Sequence, residues 1–265
     1  MTPIFFKEFK LSLRPLVIWT SIMFLTAAFG MAEFYSLKDN LDVLMNGVSG
    51  MPRIVRIVFG VDAIPINTPL GCLACMQYFY GIIAFCFAAS TGVFVVGKDE
   101  RYKTADFLYT KPYGRSLVIG AKLMVAFIDV LVMAVVSLIG SLLFLVPLFP
   151  GANLASASVA FTIGLFLSSL VFLVAGTLCA SLLKDHGQAT LRSFLALALC
   201  YAIAFFVEFS GNISFLGILT PVRWFSPQAV TESGISAVYA ALAIALFAAG
   251  AWHSIKSFSK RDLRA

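Results

Sequence analysis

The sequence predicts an all-α integral membrane protein with six transmembrane helices and both termini in the cytoplasm, and three observations carry that prediction. Hydrophobic residues fill 60% of the 265 positions and charged residues 12%, for a mean hydropathy of +0.95. Six apolar runs have the length a bilayer demands, since about twenty residues at about 1.5 Å rise cross the roughly 30 Å hydrocarbon core as a helix. Finally, 15 of the 19 Lys and Arg residues fall in alternate connecting segments, with Lys38, Arg53, Arg56 and Arg223 as the exceptions. That bias places residues 1–15, 97–122, 183–192 and 255–265 inside. In lipid every backbone amide must be paired within the protein, and the alternating pattern of a barrel is absent. The chain is a single transmembrane domain, residues 1–265. Its +6 net charge suits topology and the anionic inner leaflet and implies no nucleic-acid partner.

The first element is IFFKEFKLSLR, residues 4–14. On a helix Phe6, Phe9 and Leu13 share one face while Lys7, Lys10 and Arg14 share another. Residues 1–15 therefore form an interfacial helix with its bases toward lipid headgroups, or else a plain basic flank of the first span. That span, about 16–36, follows a basic tail as a signal peptide would. No small-x-small cleavage site follows a compact core, so an uncleaved anchor is expected. The outer segment 37–68 mixes apolar residues with Arg53, Arg56, Gly and Pro.

The second span, about 70–96, and the fourth, about 154–182, carry no charge and are long enough to cross with tilt. The first, third (about 118–146) and fifth (about 192–209) each hold an acid: Glu33, Asp129 and Glu208. The fifth is short between Arg192 and Glu208. A short helix followed by a shallow re-entrant segment, 210–230, is expected there, covered by other protein. The last span is about 234–254.

Chemistry-bearing patterns are few. Five cysteines, Cys72, Cys75, Cys86, Cys179 and Cys200, all fall in spans and act as small apolar residues. Cys72, Cys75 and Met76 have donors suited to copper(I), although helix packing explains their spacing equally, and no metal site is expected. Gly92-Val-Phe-Val-Val-Gly97-Lys98 approaches a phosphate-binding loop, but Asp99 stands where Ser or Thr would meet magnesium. His186 and His253 have no companion ligand at helical spacing, and no Ser, His and acid set is visible, so catalysis is not expected. Asp129 lies deep enough to serve an ion path in a secondary transporter, or to pair with a neighbouring helix. Asp129 and Glu208 are the candidate residues of a translocation path.

The segment KDERYKTADFLYTKPYGR, residues 98–115, concentrates charge between two apolar spans. It has the pattern of a short helix with Tyr102, Ala105 and Tyr109 on one side and Lys103 and Asp106 elsewhere, stopped at Lys111-Pro112. A simple connector needs fewer residues, so a docking surface is implied.

Here the chain resembles the permease subunits of ATP-binding-cassette exporters of the type-2 family. The resemblance rests on Glu100, Thr104, Asp106, Phe107-Leu108, Thr110, Pro112 and Arg115, followed by Gly120 and Lys122; Lys103 stands where the family carries glycine. It extends to Leu219-Thr220-Pro221-Val222-Arg223-Trp224-Phe225-Ser226-Pro227, similar to the Pro-aromatic segment such permeases carry before the last span. What the resemblance implies is a non-catalytic subunit in the inner (cytoplasmic) membrane, paired with a second permease copy or a homologous permease. A separate cytoplasmic ATPase dimer would hold the ATP and magnesium. Residues 101–110 would form a coupling helix between spans two and three, with Glu100, Thr104, Asp106, Phe107, Leu108, Pro112 and Arg115 at the ATPase contact. The cargo class implied is hydrophobic or amphipathic: lipid, peptide, antibiotic or polymer.

Overall fold

A computed structural model describes residues 2–101, 114–183, 185–211 and 214–260. Every regular element among them is helical. In chain order these are α1 (Thr2–Leu37), α2 (Leu41–Ser49), α3 (Arg53–Val58), α4 (Pro69–Arg101), α5 (Arg115–Gly140), α6 (Leu154–Leu182), α7 (His186–Ser210), α8 (Pro221–Trp224), α9 (Pro227–Ser233) and α10 (Ala237–Lys260). A wider π turn, Ser141–Leu145, extends α5, and a 3-10 helix, Ser214–Leu219, precedes α8. Six of these helices, α1, α4, α5, α6, α7 and α10, are long and apolar enough to cross a membrane, which makes the chain a multi-pass membrane protein.

Residues 2–15 and the first span share one backbone element, because α1 runs from Thr2 through Pro15 to Leu37. Proline removes one helical N–H, yet the inward face continues across it: Ile4, Glu8, Ser12, Leu16, Met23, Ala27 and Phe34 are all buried. The fifth membrane helix is longer than the Arg192–Glu208 interval. The Asp185 carboxylate accepts from the Gly187 N–H at 2.9 Å, so α7 starts two turns before the expected boundary. Arg192 is exposed on its flank, where a long side chain can carry its charge to the interface.

Helices α4 and α6 form the centre of the bundle and bury most of their surface, whereas α1, α7 and α10 keep broad exposed apolar faces. Lipid is as apolar as leucine, so helices in a membrane associate through close packing and polar contacts more than through hydrophobic burial. The α4–α6 seam shows how. A Cβ on Gly92 would collide with the Leu173 carbonyl, and one on Gly176 with the Ala89 carbonyl, so the two backbones touch through reciprocal glycines. Buried hydroxyls add hydrogen bonds: Thr177 and Ser254 join α6 to α10 at 3.2 Å, and the Gln77 amide donates to the Phe161 carbonyl at 3.0 Å.

Between α7 and α10 the chain turns back into the bundle. The Thr220 hydroxyl donates to the Cys200 carbonyl at 2.9 Å, and the Ser168 hydroxyl to the Pro221 carbonyl at 2.9 Å. Cys200 and Ser168 lie in the middle of α7 and α6, so the segment reaches about half the depth of the bundle, deeper than the shallow hairpin expected from sequence. Irregular backbone survives at that depth because its polar groups are paired by protein. Trp224 fixes the turn, donating to the Ile218 carbonyl at 3.0 Å with its ring stacked on Tyr239.

Candidate functional site

The charged residues inside the bundle gather at two places. One lies at the end that carries the described chain termini. The carboxylate of Glu8 on α1 is ion-paired with the ammonium of Lys98 near the end of α4, and both side chains are almost wholly buried. One turn along α1, the Ser12 hydroxyl donates to Asp129 Oδ1 on α5 at 3.3 Å and also to the Phe9 carbonyl at 2.9 Å. Lys98 lies close enough to Asp129 for its charge to act on it. Lys122, fully buried, precedes Asp129 by two turns on the same side of α5. The Glu8–Lys98 pair and the Ser12–Asp129 hydrogen bond thus tie α1, α4 and α5 together. Removing such groups from water is costly unless each charge finds an opposite one, as Glu8 and Lys98 do.

The surroundings of this node are apolar. Ile4 packs on Val118 and Ala121, while Val93, Val96, Ile119, Leu123, Ala180 and Ala189 form a second cluster joining α4, α5, α6 and α7. The stretch that approached a phosphate loop is continuous helix here. Gly92 packs on α6, Gly97 lies against His186, and Lys98 holds Glu8.

Of the residues assigned to an interfacial helix, Phe6, Lys7, Lys10, Leu13 and Arg14 are exposed and Phe9 is half-buried. They are the outward side of α1. Its inward side, with Glu8 and Ser12, escaped the sequence reading, because an acid among three bases looks like one more surface charge. Lys98 was read as the first charge of the connector after an apolar run, and its pairing with Glu8 escaped as well. Glu100 and Arg115 belong to the ends of α4 and α5 that flank the charged connector. Thr104, Asp106, Phe107, Leu108 and Pro112 lie outside the described residues.

The second charged site lies at the opposite end. Asp62 accepts from Arg56 Nε at 2.9 Å and from Arg53 Nε at 3.3 Å. The Arg53 guanidinium also donates to the Glu208 and Phe209 carbonyls, each at 3.2 Å, where the last carbonyls of α7 lack helical partners. Glu208 faces Arg223 at 3.5 Å. Asp62, Glu208 and Arg223 border a cavity of about 340 Å³ between α3, α4, α7 and α8. Gly60, at φ +69°, makes the turn that lets the chain after α3 lie against the Tyr78 ring, where a Cβ would collide.

A second cavity, of about 410 Å³, is bordered by Glu33, Phe34, Phe59, Cys75, Met76 and Phe79. The candidate copper donors are otherwise engaged. Cys72 Sγ lies 3.3 Å from the Ile66 carbonyl, Cys75 Sγ 3.6 Å from the Phe59 carbonyl, and the Met76 sulfur packs against Gly30 of α1. Among the described residues no group of three His, Cys, Asp or Glu is arranged to hold a metal ion. Comparison with protein-family models finds no match to this chain, and comparison with curated proteins finds none.

Proposed function

We propose that this chain is the membrane-spanning permease subunit of an ATP-binding-cassette exporter of the type-2 family. It crosses the inner membrane six times with the Glu8–Lys98 end in the cytoplasm, and works beside a second copy or a homologous permease. ATP and magnesium are held by a separate ATPase dimer that seats residues 101–110, and the cargo is hydrophobic or amphipathic. The exposed bases Lys7, Lys10 and Arg14 face headgroups of the inner leaflet, with Phe6 and Leu13 beside them in the acyl boundary.

The observation that carries this reading is the buried node of Glu8, Lys98, Ser12 and Asp129. A motor that pushes on a connector moves its cargo path only if the helices beside that connector shift as one body. The connector leaves α4 shortly after Lys98 and returns to α5 at Arg115, about four turns before Asp129, and the node pins both helices to α1. Closure of the nucleotide-bound ATPase would then displace three helices together against the glycine seam on α6. Export in sealed vesicles tests the reading. ATP supplied on the ATPase side should drive substrate accumulation that persists when a protonophore collapses the ion gradient. Accumulation that follows the gradient at constant ATP would instead identify an ion-coupled secondary transporter, with Asp129 as its relay.

A further inference from the structure

Three of the four basic residues that depart from the charge bias, Arg53, Arg56 and Arg223, converge at the end of α7. They meet two acids there, and the two acids are not equivalent. Both oxygens of Asp62 are taken by Arg56 and Arg53 at 2.9 and 3.3 Å. Glu208 Oε2, by contrast, stands 3.5 Å from Arg223 Nη2, and each side chain keeps about a quarter of its surface exposed, at 22% and 28%. A well-formed pair of this kind closes to about 2.7–2.9 Å. Arg223 and Glu208 therefore face the cavity with hydrogen-bonding capacity still unspent.

The rest of the 340 Å³ cavity is chiefly apolar, walled by Ile57, Val58, Ile82, Ala204 and Phe205. Its polarity is graded with depth. Glu208 sits in the last turn of α7, at the level where headgroups meet a span, while Ala202 and Tyr201 border the same cavity about two turns deeper. A volume of this size with a few convergent polar groups is typical of a small-molecule site.

We propose that this cavity binds a zwitterionic phospholipid. The phosphate sits on Arg223, the headgroup ammonium on Glu208, and one acyl chain runs down the apolar wall toward Ala202. The membrane around the chain supplies such molecules, and the depth grading matches theirs. An anionic lipid suits the site less well, because Asp62 is already paired with Arg56 and Arg53, and a headgroup with no cation would take Arg223 while leaving Glu208 without a positive partner. The inference stands on the cavity and is independent of the exporter reading.

Native mass spectrometry of the purified chain, titrated with phosphatidylcholine or phosphatidylglycerol of identical acyl chains, tests it. The wild type should retain phosphatidylcholine roughly tenfold more tightly, the scale set by hydrogen bonds to charged groups. Glu208→Gln should erase or invert that preference, and Arg223→Gln should weaken both lipids. Ala202→Phe, which leaves every charge in place and fills the apolar wall, should also weaken both. Soluble glycerophosphocholine should not displace the lipid; displacement would overturn the lipid assignment in favour of a water-soluble zwitterion. Equal retention of the two lipids by the wild type would overturn the proposal, as would a Glu208→Gln variant that keeps the preference. Should Glu208→Gln fail to insert, unaltered lipid binding by Ala202→Phe overturns it alone.

Discussion

Glu8 and Lys98, one in the first turns of the chain and the other near the end of its second membrane helix, form an ion pair that almost no solvent reaches. Charges so placed are worth little as a pair and a great deal as a liability, because losing either partner strands the other in a low-dielectric interior. Their position suggests what they are for. They fix the start of α1 against α4 one turn before Ser12 fixes it against α5, so the pair specifies register among three helices.

Single substitution should therefore be severe. Glu8→Met or Lys98→Met is expected to cost about 3–5 kcal/mol, and the double Met variant, which leaves no stranded charge, should recover most of it. Thermal unfolding in detergent measures this directly. A double variant no more stable than the singles would show that the pair contributes an attraction packing cannot replace.

The glycine seam gives a second, sharply local expectation. At Gly92 and Gly176 a methyl group would meet the backbone of the facing helix, which cannot rotate away, so either Gly→Ala change should force α4 and α6 apart at a cost of about 1–3 kcal/mol. Gly120, in α5, has nothing within 4 Å of its added Cβ. Gly120→Ala should be neutral or stabilising by up to about 1 kcal/mol, the ordinary helix-propensity gain. Unfolding temperatures of the three variants in the same detergent decide it, and three equal shifts would contradict the seam.

What the sequence made legible and what it hid divide along a physical line. Span number follows from hydropathy and length, which are local, and six apolar runs correspond to six long helices. Acids within spans were conspicuous, so Asp129 and Glu208 were singled out. Their partners were not, because Ser12 is 117 residues from Asp129 and Arg223 meets Glu208 only through the turn back after α7, so no local pattern links either pair. Amphipathicity drew attention to the exposed side of α1, where the contrast is strongest, whereas Ile4, Glu8, Ser12 and Leu16 mix polar and apolar residues along one inward line. The re-entrant depth was hidden for the same reason, since it depends on Thr220 and Ser168 finding carbonyls on other elements.

Orientation is open to chemical labelling. In a background lacking Cys72, Cys75, Cys86, Cys179 and Cys200, single cysteines at Lys38 and Asn153 should react with an impermeant thiol reagent added outside intact cells. Cysteines at Thr104 and Gln188 should react only after the membrane is opened. Lys38, Asn153 and Gln188 are exposed in the fold, so burial does not decide their outcome. Labelling of Thr104 from outside would invert the bundle and remove the coupling segment from the cytoplasm.

Asp129→Asn separates the two transport readings. The amide keeps an oxygen for the Ser12 hydroxyl at 3.3 Å and loses the charge that faces Lys98. A positioning role predicts reduced thermal stability and a partial loss of ATP-driven transport, with no change in its insensitivity to a protonophore. Complete loss of transport with ATP hydrolysis intact, together with protonophore-sensitive wild-type transport, would make Asp129 a relay.

The connector itself supplies the most direct test of the exporter proposal. A helix seated in a groove of an ATPase gains chiefly from apolar burial, about 1.5–3 kcal/mol for each large side chain fully buried, so Phe107 and Leu108 should dominate the contact. Exposed ion pairs contribute only about 0–1 kcal/mol, which leaves Asp106 a minor part. Asp106→Ala should weaken assembly slightly, whereas Phe107→Ala combined with Leu108→Ala should cost several kcal/mol, more than about a hundredfold in affinity. Insertion depends on the spans, so the double variant should reach the membrane in normal amount and unfold at the wild-type temperature. It should nevertheless lose its ATPase partner in a detergent pull-down and lose ATP-dependent export. Full retention of both would leave the charge of residues 98–115 as a topology signal alone, and the buried node beside it as a device for register without a motor to serve.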